Sequence, residues 1–147
     1  MLQAHPDAKL TVVGTSPDLS LPNVNIVGRV PKTEVGSYYE QAAIFCLPTT
    51  LEPFGIVFCE ALSYKLPVVA TNIAAIPDFV NEGENGFMVD VHDAEALADR
   101  LIHLLNDASL CQEFGERGFE LGKERYTWPN TGLRIRQHIE EALGVLS

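Results

Sequence analysis

Short apolar runs alternate with amphipathic segments from the start of the chain to about residue 90. Runs of four or five mostly Val, Ile, Leu or Phe residues, bounded by Gly, Pro or Asn, are typical of buried strands. They predict strands at 10–14, 24–28, 44–47, 67–71 and 86–89. The patterns between them predict helices at 32–43, 55–64 and 76–81. A proline near the start of the first and the last of these helices suits a first turn.

From Asp93 to the end, the pattern is helical. Asp93 is a good N-cap for the first helix, whose leucines recur at helical spacing. A second helix is predicted at about 109–123. A third follows Thr127, and its apolar side chains on one face are Leu133, Ile139 and Leu143. No internal repeat or low-complexity linker divides the chain.

The order of these elements predicts the fold class. Strands rich in Val, Ile and Leu, separated by helices, indicate a parallel sheet covered on both faces. We therefore predict an α/β protein with a Rossmann-like, doubly wound parallel sheet. Such sheets bind ligands at the carboxyl ends of their strands, which directs attention to the segments after Gly14, Gly28, Leu47 and Thr71.

Composition and charge narrow the function. The chain has 147 residues, of which 46% are hydrophobic, as expected of one soluble globular domain. Its formal net charge of −10 argues against nucleic-acid binding. The same charge repels anionic ligands, so any phosphate site must depend on local geometry.

The sequence has few features that indicate a cellular compartment or an association with membranes. No apolar run approaches the roughly 20 residues that span a bilayer, and the N-terminus lacks a signal-peptide pattern. The three cysteines have no metal-ligand spacing. These features predict a cytoplasmic protein.

The segment 49–62 carries the most chemical information. It follows a predicted buried strand and opens a helix, where free backbone N–H groups attract an anion. Gly55 would let a ligand approach the backbone closely. This is a route to phosphate binding that needs no net positive charge.

Glu52 and Glu60 lie within this segment, and each has two interpretations. Glu60 has only apolar neighbours, and a buried carboxylate needs partners. It could accept hydrogen bonds from ligand hydroxyls, or it could be structural, paired with an Arg or placed at an exposed helix edge. Glu52 could bind a ligand or only complement the helix dipole. Composition alone favours the structural interpretations.

The segment 52–62 resembles the Glu-x7-Glu motif of retaining glycosyltransferases with the GT-B fold, of the family 4 or group 1 type. Further segments resemble that family in order and spacing: 28–30, 66–71, 74–78, 85–89 and 126–128. The resemblance implies the C-terminal half of a GT-B fold. Residues 1–126 would bind the donor, and residues 127–147 would form a helix that crosses to an acceptor domain absent from this chain.

The resemblance also implies site residues. Glu52 would be the catalytic residue and would hold hydroxyls of the donor sugar. The residues implied to contact sugar and diphosphate with it are Phe54, Gly55, Ile56 and Val57. Glu60 would bind the ribose hydroxyls, and the backbone of Val30 would meet the base. With the resemblance, Glu52 and Glu60 are predicted to be functional.

The implied partner is a nucleoside-diphosphate sugar, and the implied reaction transfers its glycosyl group with retention through an oxocarbenium-like transition state. Backbone amides and the helix dipole would stabilise the departing diphosphate. No metal ion or cofactor is implied. The segment 90–93 could suggest a metal site, but we interpret it as a strand-to-helix turn with a cap.

Departures from the family pattern limit these expectations. Ala74 and Ala75 replace a usual Gly-Gly pair, Asp78 replaces a usual Glu, and Lys65, which replaces a usual Gly, is interpreted as structural. The acceptor domain, the first donor-domain strand and a loop that brings an Arg and a Lys to the diphosphate are missing. We therefore expect a fragment that is inactive in isolation, with a gap in the middle of its sheet. Any peripheral membrane contact would go through the missing domain.

Two alternatives remain open for the function. One is another enzyme on the same fold, such as a sugar-nucleotide epimerase or a phosphorylase. The other is a non-catalytic module that binds a nucleotide or pairs with a separate acceptor-domain subunit. The last helix is equally open: Trp128, Arg134 and Arg136 could contact the acceptor domain, or the helix could be an ordinary amphipathic one.

Overall fold

Strands and helices alternate in the computed structural model, which describes residues 3–18 and 20–144. The strands are β1 (Leu10–Val13), β2 (Val24–Gly28), β3 (Phe45–Leu47), β4 (Val68–Thr71) and β5 (Gly86–Val89). The helices are α1 (Lys32–Gln41), α2 (Ile56–Ser63), α3 (Ile76–Phe79), α4 (Ala94–Asn106), α5 (Ala108–Arg125) and α6 (Trp128–Ala142). Positions 145–147 of the predicted crossing segment, and the first two residues, lie outside the described residues.

Each predicted element is present, and the ends differ by a few residues. The largest difference in the first half of the chain is at α1, which ends at Gln41 and not at residue 43. Ala42 is already extended, with φ −83° and ψ 148°, while its N–H still donates to the Tyr39 carbonyl. The two residues beyond the helix are the turn that leads into β3.

Within residues 3–18 and 20–144, all strand pairing is parallel, and it falls into two sheets. β1 pairs with β2, and β4 lies between β3 and β5. The registers place Phe45 opposite Val68 and Val68 opposite Gly86. The α/β class and the parallel pairing are as predicted.

β4 is the centre of the core, because all four of its residues are buried. Val68 and Ala70 face one cluster of buried side chains, which includes Phe58 of α2 and Ile76 of α3. Val69 faces a second cluster on the other side of the sheet, which includes Leu104 of α4 and Phe114 of α5. Helices therefore cover both faces of this sheet, as a doubly wound fold requires.

α2 and α5 pack closely because α5 has glycines where they meet. A Cβ at Gly115 would collide with the carbonyl oxygen of Lys65, and one at Gly118 would lie 2.6 Å from Leu62 Cδ2. Lys65 takes a left-handed conformation, φ 56°, just after α2. The N–H of Leu66 donates to the Ala61 carbonyl at 3.2 Å, which closes the helix in a Schellman motif.

α6 differs from the other helices, because none of its residues is buried. The apolar face predicted for it exists, but it is exposed at Leu133, Ile139 and Leu143. Trp128, at its start, is 89% exposed. Arg136 pairs within the helix, with Glu140 at 2.7 Å. Among the described residues, no helix is long and apolar enough to cross a membrane.

Candidate functional site

The loop between β3 and α2 is fixed to the carboxyl end of the sheet. The hydroxyl of Thr71, the last residue of β4, donates to the Thr49 carbonyl at 2.6 Å. The hydroxyl of Thr49 in turn donates to the Leu51 carbonyl at 2.9 Å and accepts from the Leu51 N–H at 3.1 Å. These bonds place the next residues of the loop at the sheet edge where an open α/β fold binds its ligand.

Gly55 is required by the turn that starts α2. Its φ of 70° lies in the left-handed region, which costs a residue with a Cβ about 1–2 kcal/mol. A Cβ at this position would also collide with the Phe79 ring. The sequence predicted that a ligand would approach Gly55 closely. In the structure, the group next to the position of the missing Cβ is the Phe79 ring of the same chain.

Glu52 lies against the start of α2. Its Oε1 accepts from the Gly55 N–H at 2.9 Å and, at a longer 3.4 Å, from the Phe54 N–H. The carboxylate thus complements the positive end of the helix dipole, which is the structural interpretation of Glu52. The same contact brings together the side chain and the amide that the resemblance implies for sugar and diphosphate.

The surface around Glu52 is apolar and open. Phe54 is 74% exposed, and Leu51 and Ile56 are exposed as well. Val57 is half-buried and packs against the core. Of the five residues predicted to contact sugar and diphosphate, Phe54 and Ile56 are exposed, Glu52 and Val57 are half-buried, and Gly55 is buried at the start of α2.

Glu60 lies a little more than one turn into α2. It is half-buried, and its Oε2 accepts from the hydroxyl of Tyr39 on α1 at 3.1 Å. The ion pairs within the described part of the chain do not include Glu60, so its partner is not an Arg. The helix is buried on one face only, since Ile56 and Ser63 are exposed.

Val30 lies at the end of the other sheet. It follows β2, whose last residue, Gly28, has φ 76°, and it precedes Pro31, the N-cap of α1. Val30 is half-buried. The predicted turn is therefore present, and it starts the same helix whose later turn carries Tyr39.

Two residues near the site were not predicted from the sequence, Tyr39 and Phe79. Both act across distant parts of the chain, on Glu60 and on Gly55. The tyrosine pair at 38–39 within an amphipathic helix was the only available sequence signal, and it does not indicate a partner. Tyr126 supports Phe79, with ring centroids 4.7 Å apart and its hydroxyl donating to the Asp78 carbonyl.

Of the two alanines that replace the usual Gly-Gly pair, only Ala74 has a glycine-like backbone. Ala74 has φ 47°, in the left-handed region, whereas Ala75 has φ −83° and caps α3.

The segment 90–93 is a strand-to-helix turn as predicted, with Asp93 accepting from the Ala96 N–H at 2.8 Å.

The fold and the site define a class of protein. Parallel strands covered by helices on both faces, with a glycine-containing loop leading from a strand into a helix, form a Rossmann-like ligand-binding domain. A sequence model described as glycosyl transferases group 1 matches residues 1–121. The chain belongs to this family.

Individual relatives agree with that assignment. An uncharacterized glycosyltransferase of Methanocaldococcus jannaschii is 27% identical over 122 residues, which are 83% of this chain and 34% of that protein. Sucrose-phosphate synthase from Thermosynechococcus elongatus has a similar structure, with a TM-score of 0.80 at 25% identity, over 98% of this chain and 41% of that one. The chain thus spans about a third of the length of the curated relative it matches.

A second solved structure of similar fold is a complex with a nucleotide. Anabaena HepE in complex with UDP has a TM-score of 0.68 at 23% identity, over 84% of this chain and 33% of that one. The two neighbours confirm that the domain is the Rossmann-like half of a GT-B fold.

Proposed function

We propose that this chain forms the donor-binding half of a retaining glycosyltransferase, which transfers a hexosyl group from a nucleoside-diphosphate sugar to a glycan or lipid acceptor. The arrangement around the start of α2 carries the proposal. Glu52 lies against the Gly55 amide, and Glu60 lies a little more than one turn further along the helix. Membership of the group 1 family and the UDP complex of HepE support it.

The start of α2 would bind the sugar and the diphosphate. Glu52 would hold sugar hydroxyls, beside the exposed ring of Phe54. The first N–H groups of a helix have no partner within it, so Ile56 and Val57 would donate to diphosphate oxygens. The Gly55 N–H, which donates to Glu52 in this structure, would pass to the donor as Glu52 turns to the sugar.

The nucleoside would lie along α2 and the end of β2. The half-buried carboxylate of Glu60 would accept from the ribose hydroxyls, and the backbone of Val30 would meet the base. Ionised carboxylates accept only, with two oxygens and about four lone-pair sites. A ribose diol, which offers two O–H donors, is therefore a suitable partner for Glu60.

The chemistry would consist of stabilising charge on the leaving group. As the bond between the anomeric carbon and the diphosphate breaks, positive charge develops on the sugar and negative charge on the diphosphate. Fixed amides and the helix dipole stabilise that negative charge without reorganising. We propose that these groups act without a metal ion or cofactor held by this chain.

The rest of the enzyme would meet this chain at α6. The exposed Trp128 begins that helix, and the chain spans only 34% of its curated relative. We propose that residues 127–147 cross to an acceptor domain, which would also make any contact with the membrane. The three free thiols, Cys46, Cys59 and Cys111, favour the cytoplasm as the compartment.

A second candidate function is a nucleotide-binding or pairing module without activity of its own. Two observations favour it. The Gly55 N–H already donates to Glu52 and so is not free for a donor, and α6 has no buried residue, which leaves its apolar face for another subunit. In that case the acceptor domain would come from a separate subunit.

Isothermal titration of the purified chain with UDP, GDP and ADP tests the donor site. We expect one of them to bind and Glu60→Ala to lower its affinity by about 10- to 100-fold, since a hydrogen bond to a charged group contributes about 1.5–3 kcal/mol. Glu124→Ala, an exposed change of the same charge on α5, is the control and should leave the affinity unaltered. A folded chain that binds none of the three would exclude a donor site formed by this chain alone.

A further inference from the structure

The carboxylate of Glu60 is held by a side chain from another helix. The Tyr39 hydroxyl donates to Glu60 Oε2 at 3.1 Å, across 21 positions of sequence. We propose that Tyr39 is a positioning residue, which orients the Glu60 carboxylate so that its other oxygen faces the ribose hydroxyls of the nucleotide. This inference rests on the proposed donor site.

Tyr39 has little freedom to move. Its side chain is 9% exposed, and it packs in a cluster with Ala61 and Leu66. Its ring stacks on Tyr64, with centroids 5.3 Å apart and planes 19° apart, and leans on Phe45 at 5.9 Å. A ring fixed on both sides holds its hydroxyl at one point, as a rigid donor should.

The contact links α2, which carries Glu60, to the helix that begins just after Val30. Tyr39 belongs to α1, which begins just after Val30, and Glu60 belongs to α2. Tyr64, just beyond the end of α2, brings its hydroxyl close to α1 at Gly36, where a Cβ would lie 2.5 Å from it. The stack of Tyr39 on Tyr64 therefore fixes the distance between α1 and the Glu60 backbone.

Tyr39 remains a donor across the working pH range. Burial raises its pKa above the ordinary value for a tyrosine, and the negative charge of Glu60 and the hydrogen bond to it raise it further. The neighbouring Tyr64 acts in the same direction. A phenol that stays protonated can hold one carboxylate oxygen and leave the second as an acceptor.

Tyr39→Phe separates positioning from packing, because it removes the hydroxyl and keeps the stacked ring. The test uses whichever of UDP, GDP and ADP binds to the chain. The measured quantity is the affinity for that nucleotide divided by the affinity for its 2′,3′-dideoxy analogue, which lacks the ribose hydroxyls. We expect Tyr39→Phe to lower this ratio about tenfold, the loss of roughly one hydrogen bond. A packing role would change both affinities equally and leave the ratio unaltered.

Two further variants complete the test. Tyr38→Phe removes a hydroxyl one position earlier, on a different side of α1, and should leave the ratio at the wild-type value. In a Glu60→Ala background, Tyr39→Phe should have no further effect on the ratio, because the carboxylate it would orient is gone. A further loss of the same size in that background would overturn the inference.

The possible failures are distinguishable. A folded wild-type chain that binds no nucleotide overturns the proposed donor site and this inference with it. A chain that binds, with a Tyr39→Phe ratio equal to wild type, overturns this inference alone. If Tyr39→Phe fails to fold, NMR of the wild-type chain still tests the inference. The Tyr39 hydroxyl proton should be in slow exchange with water and therefore visible in the wild-type spectrum, and its signal should be lost in Glu60→Ala. Absence of this signal from the wild-type spectrum would contradict the inference.

Discussion

At the residue scale, Ala74 is the clearest case of local strain. Its φ of 47° is unfavourable for a residue with a Cβ by about 1–2 kcal/mol, while a glycine there would lose about 0.4–1 kcal/mol through the unfolded chain. We expect Ala74→Gly to raise the free energy of unfolding by about 0.5–1 kcal/mol, measured by urea denaturation. Ala94→Gly, at an equally exposed but helical position, should lower it. A loss in both variants would mean that Ala74 is not strained.

Individual side-chain partners were the part of the site that the sequence could not predict. The short distance along the chain from Glu52 to Gly55 made a local contact conceivable, but the contact depends on the left-handed turn at Gly55. The Tyr39 to Glu60 bond joins positions 21 apart, and nothing in either local pattern indicates the other. Such bonds are determined by how α1 packs on α2, which is a tertiary property.

At the element scale, the glycines of α5 test the packing of two helices. Gly115→Ala should destabilise the protein by about 1–3 kcal/mol, because the new methyl group meets the fixed carbonyl of Lys65. Gly122→Ala is the matched control on the same helix. Its nearest neighbour would be Leu62 Cβ at 3.8 Å, an ordinary contact, so it should stabilise by about 0.8–1 kcal/mol through helix propensity. Chemical denaturation of both variants measures the difference, and equal effects would contradict close packing at Gly115.

Element positions were predictable because they depend on local patterns. The run at 67–71 gave β4 because a strand buried on both faces is apolar throughout. Asp93 predicted the start of α4 because an N-cap side chain accepts from an N–H group only three residues further on, here that of Ala96. The apolar side of α6 was predicted in the same way, but periodicity shows only which side is apolar. Whether another element covers it depends on the rest of the fold.

At the scale of the whole molecule, the two sheets should differ in stability. β4 is fully buried between two strands. Among the residues that the structure describes, β1 and β2 pair only with each other, and they are mostly exposed or half-buried. A two-stranded unit is marginal by itself. By hydrogen exchange, we expect the amides of β4 to exchange only on global unfolding and those of β1 and β2 at least about tenfold faster. Equal protection would show that both sheets open as one unit.

The bond from Gly55 to Glu52 would make the proposed donor site selective against small anions. A free phosphate or sulfate that approaches the Gly55 amide meets a carboxylate already in place, tethered and of the same charge. Displacing it leaves that carboxylate without its donor, and an inorganic ion at neutral pH has few O–H groups to offer in exchange. A sugar has several hydroxyls, so it can satisfy Glu52 at the moment the amide is taken. If the donor binds as proposed, this exchange of partners would favour a glycosylated diphosphate over the simpler anions that are abundant in a cell.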